Sequence, residues 1–249
     1  MDLNLTGKVA IVTGAGRGLG FAAALALAEE GANVLGVARS DSELNELRKV
    51  AGDRIHVERC DVTDLDHVSR LPEAAVSAFG RLDIIVNNAG IAPAGSFLSQ
   101  DADLWERVFA VNVFAPVALA RSAGAIFQEQ KSGKVINIAS TSGILGKAGL
   151  VAYSASKGAV LQMTKALAAE WAPFNIQVNA IAPGAFETRA QEAVLESEDL
   201  LKRRLRKIPL GRMGDANEIG PLVCLLASHW SDFITGSVIV ADGGESAKL

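Results

Sequence analysis

Short runs rich in valine, isoleucine and alanine alternate along the chain with longer stretches in which apolar residues recur every three or four positions. The short runs fall at residues 8–13, 33–38, 55–60, 83–87, 134–140, 177–181 and 237–240. Each is almost continuously apolar, as expected of strands covered by helices on both faces. Between them lie helical patterns at 19–30, 42–50, 65–79, 104–130, 151–171 and 216–228. This alternation predicts βαβ units and an α/β fold, a doubly wound parallel sheet of Rossmann type with helices on both faces. No repeat, linker or low-complexity tract interrupts the rhythm, so one domain over residues 1–249 is expected.

One stretch departs from the pattern. Residues 189–207 are charged, helical in pattern and framed by Pro183-Gly184 and Pro209. They read either as a solvated surface helix or as a mobile lid over a site at the carboxyl ends of the strands. Their position directly after a candidate site strand favours the lid.

Composition narrows the partners. A net charge of -4 gives no electrostatic reason to expect nucleic acid or an anionic membrane. Cys60 and Cys224 are far apart and His56, His67 and His229 are scattered, so no metal site is expected. No charged N-terminal region leads into a long apolar run, and no uncharged apolar stretch is long enough to span a bilayer. A soluble, reducing, cytoplasmic setting is the expectation.

The first strand runs into T-G-A-G-R-G-L-G at 13–20, which also opens a helix. Gly14 suits a tight turn, and Gly18 and Gly20 let the backbone approach a pyrophosphate. The helix end offers free N–H groups and a positive dipole to the phosphates. Strand before and helix after are the context that gives such a loop meaning as a dinucleotide site. The second strand ends in Ala38-Arg39-Ser40. A free ribose 2′-hydroxyl usually meets an acidic residue there, whereas a 2′-phosphate suits arginine. Arg39, with Arg17 as a second cation, therefore favours NADP(H) over NAD(H), with NAD(H) still possible. Asp61, after the third strand, is placed either to accept from the adenine amino group or to cap the next helix.

Tyr153 and Lys157 lie one helical turn apart in Y-S-A-S-K, with Ser140 thirteen residues upstream. An ordinary amphipathic helix with a surface lysine shows the same spacing. A cation beside a phenol favours phenolate and lowers its pKa, and a hydroxyl so tuned can exchange a proton near neutral pH.

Taken in order, these motifs resemble the short-chain dehydrogenase/reductase family over essentially the full chain. The set comprises the glycine loop, N-N-A-G at 87–90, Asn112 in V-N-V, Ser140 in I-A-S-T-S-G, Y-S-A-S-K at 153–157, P-G-A-F-E-T at 183–188 and D-G-G at 242–244. The resemblance implies that Tyr153 is the general acid in carbonyl reduction and the base in alcohol oxidation. It implies that Lys157 holds the nicotinamide ribose and lowers the Tyr153 pKa, and that Ser140 hydrogen-bonds the substrate oxygen. Asn112 would hold a water in a proton relay to Lys157. The cofactor would lie along Gly14, Gly16, Arg17, Gly18, Leu19 and Gly20, past Arg39, Asp61 and Val62. It would continue past Asn88, Ala89 and Gly90 to Tyr153 and Lys157, and meet Pro183, Gly184, Phe186 and Thr188 at the nicotinamide. Asn87 and Asn88 read as partly structural, stitching neighbouring strands. Ser142 competes with Ser140 as catalytic serine, and spacing favours Ser140.

The resemblance implies a ketone–alcohol oxidoreductase using a small-molecule substrate, in a homotetramer built through its long helices. Two subgroups fit the length: 3-oxoacyl-carrier-protein reductases, and dehydrogenases of sugars and sugar acids. Phe174-Asn175 stands where carrier-protein reductases often have Arg-Gly, which weakens the first, while basic residues at 202–207 keep it open. Pocket candidates Ile144, Leu145 and Leu150 are apolar and favour neither. A nucleotide-sensing protein without chemistry is the alternative outside the enzyme class; such proteins typically lack the tyrosine or lysine kept here.

Overall fold

Seven strands form one sheet: β1 (Val9–Thr13), β2 (Asn33–Ala38), β3 (Ile55–Arg59), β4 (Ile84–Asn87), β5 (Gly133–Ile138), β6 (Ile176–Pro183) and β7 (Val238–Ala241). The computed structural model describes residues 2–247. The strand order is β3-β2-β1-β4-β5-β6-β7, and every pairing is parallel. The order reverses direction between β1 and β4, and such a switch point opens a crevice at the carboxyl ends of the strands.

The helices are α1 (Gly18–Glu29), α2 (Asp41–Ala51), α3 (Leu65–Phe79), α4 (Ala102–Phe109), α5 (Ala115–Gln130), α6 (Ser142–Leu145), α7 (Val151–Trp171), α8 (Glu192–Leu195), α9 (Glu198–Leu205) and α10 (Gly220–Ala227). Alternation along β1 explains how they divide into two layers. Ala10 and Val12 join one apolar cluster with Leu27 of α1, Leu47 of α2 and Val223 of α10. Val9 and Ile11 point the other way, to Leu71 of α3, Leu119 and Phe127 of α5 and Trp171 of α7. Both faces being buried, the strands need apolar residues at every position.

Four boundaries differ from the sequence pattern, each with a physical reason. β5 ends at Ile138, so Ser140 lies beyond the strand on its carboxyl rim. The helix expected over 104–130 is interrupted by a wide π-turn at Ala110–Phe114. Pro116 has no N–H to donate to the Asn112 carbonyl four residues earlier, so the regular ladder cannot continue there. By length and composition residues 102–130 could cross a membrane. Here Leu119 and Phe127 of that stretch are fully buried against the sheet. Residues 189–207 fold as a 3₁₀ turn and two short helices, α8 and α9, with Ser197 capping α9 through Leu200 N–H. The last expected helix is a 3₁₀ turn at Ala216–Ile219 followed by α10, opened by a reciprocal cap between Asp215 and Glu218.

Candidate active site

The crevice is a continuous cleft of about 1060 Å³, running from the glycine loop past the ends of β4 and β5 to the start of α7. Gly14 has a φ of 67°, and a Cβ on Gly20 would lie 2.2 Å from the Gly14 carbonyl oxygen. Only glycines permit this crossing of loop and helix. Arg17 is the N-cap of α1 and makes no side-chain cap, so the first N–H groups of α1 are left for a ligand. Asn88 holds the loop from behind: its Nδ2 donates to the Thr13 carbonyl at 2.9 Å and to the Gly14 carbonyl at 3.2 Å. Asn87 Nδ2 donates to Asn137 on β5 at 2.9 Å. Both asparagines thus stitch strands, as the sequence reading expects. A narrow glycine turn under an uncapped helix, at the mouth of a long cleft, fits a dinucleotide.

At the adenosine end, Arg39 lines the cleft and faces Asp61 at 3.9 Å. Asp61 Oδ1 accepts from the Thr63 N–H at 3.0 Å and the Thr63 hydroxyl at 2.9 Å. The Thr63 backbone N–H is the main reason its carboxyl sits below the ordinary range; Arg39 adds to it. Asp61 is not the cap of α3, because Asp64 accepts from His67 N–H in that role. Ser40 caps α2 by accepting from Glu43 N–H. The Glu43 carboxylate turns to Arg17 at 3.2 Å and to Arg189 at 3.9 Å.

At the other end, Ser140, Tyr153 and Lys157 line the cleft together. Ser140 Oγ accepts the Ser142 N–H at 3.1 Å. Ser142 lies at the start of α6, and Ser140 is the serine that bonds toward the phenol. Lys157 is buried, donates to the Ile138 carbonyl at 2.7 Å and lies 5.9 Å from the Tyr153 ring centre. The expected lowering of the Tyr153 pKa by Lys157 is not what this arrangement gives. Burial pushes the phenol above its ordinary value, and Ser140 partly offsets this. Burial also pushes the Lys157 ammonium down, to about 8. The lysine is aimed at a backbone carbonyl, so desolvation dominates both groups.

The π-turn brings Asn112 into the same neighbourhood, where its side chain makes three hydrogen bonds. Oδ1 accepts Ile91 N–H at 2.9 Å, and Nδ2 donates to the Ile91 carbonyl at 3.0 Å and to Ser156 Oγ at 2.9 Å. Ser156 in turn donates to the Tyr153 carbonyl at 2.7 Å. Asn112 therefore ties the strand-four loop to the helix that carries Tyr153, with both of its amide hydrogens committed. Pro183, Gly184, Phe186 and Thr188 line the cleft beyond β6, with Leu19, Val62, Ala89 and Gly90 along its floor. Ile144 does not line it, while Leu145 and Leu150 do.

Residues 14–246 match the family model described as Enoyl-(Acyl carrier protein) reductase. The 3-oxoacyl-[acyl-carrier-protein] reductase FabG of Thermotoga maritima is 37% identical, over 97% of this chain and 99% of its own. The 2-dehydro-3-deoxy-D-gluconate 5-dehydrogenase of Dickeya dadantii is 38% identical, over 98% of each. Among solved structures, a Sinorhizobium meliloti 1021 chain assigned to the short-chain alcohol dehydrogenases superposes with a TM-score of 0.95 at 38% identity, covering 100% of both chains. The chain belongs to the short-chain dehydrogenase/reductase family. It is accordingly an NAD(P)-dependent oxidoreductase that interconverts a ketone and a secondary alcohol by hydride transfer.

Several cleft residues carry no motif. Glu43 reaches the glycine loop only because α2 folds back over it. Lys147, Arg204 and Lys207 reach the cleft from two separate segments. The basic run 202–207 is visible in the sequence, but nothing in it says which of its side chains face inward.

Proposed function

We propose that the enzyme prefers NADP(H) and uses Tyr153 as its acid and base, with Ser140 and Lys157 beside it. The observation that carries this reading is one cleft with Arg17, Arg39 and the glycine loop at one end and Ser140, Tyr153 and Lys157 at the other. The nicotinamide supplies or takes the hydride. Tyr153 is a neutral phenol at neutral pH, its proton held on by burial, and gives it to the carbonyl oxygen in reduction. Ser140 donates its hydroxyl proton to the same oxygen while its own oxygen accepts the Ser142 N–H. That bond makes it a better donor where negative charge develops. Lys157 holds the ribose hydroxyls and carries the replacement proton. The Asn112 carbonyl, denied its helical partner by Pro116, is the group that would seat a relay water; the Asn112 side chain positions the loop and helix.

Residues 189–207 serve as the substrate lid in this reading, with Arg189, Gln191, Glu192 and Arg204 on its inner side. The enzyme works in the cytoplasm as a homotetramer, since both cysteines are unpaired thiols and α4–α5 leaves apolar side chains outward.

Turnover of a generic diketone with NADPH and with NADH tests the reading. NADPH should be preferred, and Tyr153→Phe should lose about 10²- to 10⁴-fold in kcat while still binding NADPH. Tight NADPH binding without turnover on a broad carbonyl and alcohol panel would overturn it.

A further inference from the structure

The cleft is cationic at its substrate end. Lys147 follows α6, Arg204 sits in the last turn of α9, and Lys207 lies just beyond; all three line the same cleft as Tyr153 and Ser140. Arg204 and Glu245 form a two-pronged pair, with Nη2 donating to Oε2 at 2.6 Å. That pair is close to neutral and fixes the guanidinium, whose buried Nε keeps no partner among the described residues. The other carboxylate here, Glu192, faces Arg189 at 3.9 Å. Neither the Lys147 nor the Lys207 ammonium has a hydrogen-bond partner among the described residues. Lys147 is pushed below its ordinary pKa, first by burial and then by repulsion from Arg204 and Lys207, with Glu245 opposing.

Each acid at this end therefore faces an arginine, Glu192 sharing Arg189 with Glu43, and two lysines are left over among the described residues, in a chain whose net charge is -4. Crowded cations in a partly desolvated cleft raise the free energy of the empty site, and an anion between them relieves it. Leu145 and Leu150 supply a short apolar wall in the same cleft. We propose that Lys147 and Lys207, in the field of Arg204, form a subsite for a carboxylate carried by the substrate, which is an oxo acid or hydroxy acid rather than a neutral ketone. This rests on the oxidoreductase site proposed above, because it fixes where the substrate carbonyl lies. A free acid is favoured over an oxyanion on a carrier-bound thioester arm. Phe174 and Asn175 stand before β6, where a carrier protein with its acidic surface would call for basic residues.

The test uses matched pairs, short oxo acids and their methyl esters, which differ by one charge. The acids should have kcat/KM at least ~10-fold above the esters, the scale of one charge-assisted hydrogen bond. Lys147→Met and Lys207→Met, checked for native thermal melting, should each lower the acid-to-ester ratio by roughly tenfold. Raising ionic strength should narrow the ratio in the wild type. Binding of each acid and ester to the enzyme–cofactor complex, measured by calorimetry, gives a readout independent of turnover. Equal use of acid and ester, unmoved by either substitution, would overturn the subsite and leave the oxidoreductase reading standing. Acid binding weakened by both substitutions, with no turnover of any compound, would support the subsite and sink that reading. Failure of the acids to bind, or a phosphopantetheine thioester used better than any free acid, would overturn the carboxylate assignment.

Discussion

Lys157 carries its charge into surroundings that resist it. Its one hydrogen-bond acceptor among the described residues is the Ile138 carbonyl, and burial brings its pKa to about 8. A cation whose folded pKa lies below its unfolded value weakens the fold wherever both states are protonated, which is below about pH 8. That cost fades between about pH 8 and the unfolded value of about 10.5 and is absent above it. Lys157→Met should therefore be inactive yet more stable than the wild type at pH 7, by on the order of 1–3 kcal/mol. Urea unfolding at pH 7 and pH 10 checks the sign: the variant's advantage should shrink at the higher pH. Arg39 offers a second single-residue test. Among the described residues it meets only Asp61, at 3.9 Å, and its side chain is exposed, so its guanidinium is available to a 2′-phosphate. Arg39→Asp should shift the NADPH/NADH ratio of kcat/KM toward NADH, and an unchanged ratio would rule out Arg39 as selector. The Tyr153–Lys157 spacing is plain in the sequence. The direction of the tyrosine's pKa is not, because it depends on how deeply the phenol is buried and where the ammonium points.

Among the elements, strands were the most legible, because two-sided burial leaves them almost wholly apolar. Their ends were less so: Ser140 reads as strand but sits past the end of β5, on the rim where the cleft needs it. The π-turn was legible only as an asparagine in an apolar helix, and its cause, Pro116, lies four residues away. α6 shows what such local accommodation supports. A Cβ on Gly143 would lie 2.7 Å from the Lys157 carbonyl carbon and 2.9 Å from Gly158 N. Backbone meets backbone there, so neither side can give way by rotating a side chain. Gly143→Ala should force α6 off α7, costing roughly 1–3 kcal/mol of stability. Because α6 and α7 carry the groups around Ser140 and Tyr153, kcat should fall while NADPH affinity stays near wild type. Urea midpoints and fluorescence titration of NADPH would read the two effects.

At the scale of the molecule, Trp105, Phe109 and Phe114 form a ladder of ring contacts at 6.0 and 6.4 Å along α4 and the π-turn. Phe114 and Val117 remain half exposed at its end. Apolar side chains in such a row fit burial against another copy of the chain. Light scattering at micromolar protein should give a tetramer; a monomer would sink that expectation. The substrate end was the least legible part, since Lys147 and residues 204–207 are distant in sequence and meet only once the sheet is built. The sheet order has a consequence for how the chain is made. β1, the first of these seven strands to be synthesised, lies inside the finished sheet, and β4 is the outermost strand on one side of it for some forty-five residues of synthesis. A nascent chain that has paired β1 to β4 presents the bare Ile84–Asn87 edge until β5 emerges to cover it. Translation pauses that lengthen this interval would expose a ready template for intermolecular strand addition, making yield sensitive to synthesis speed within residues 88–132.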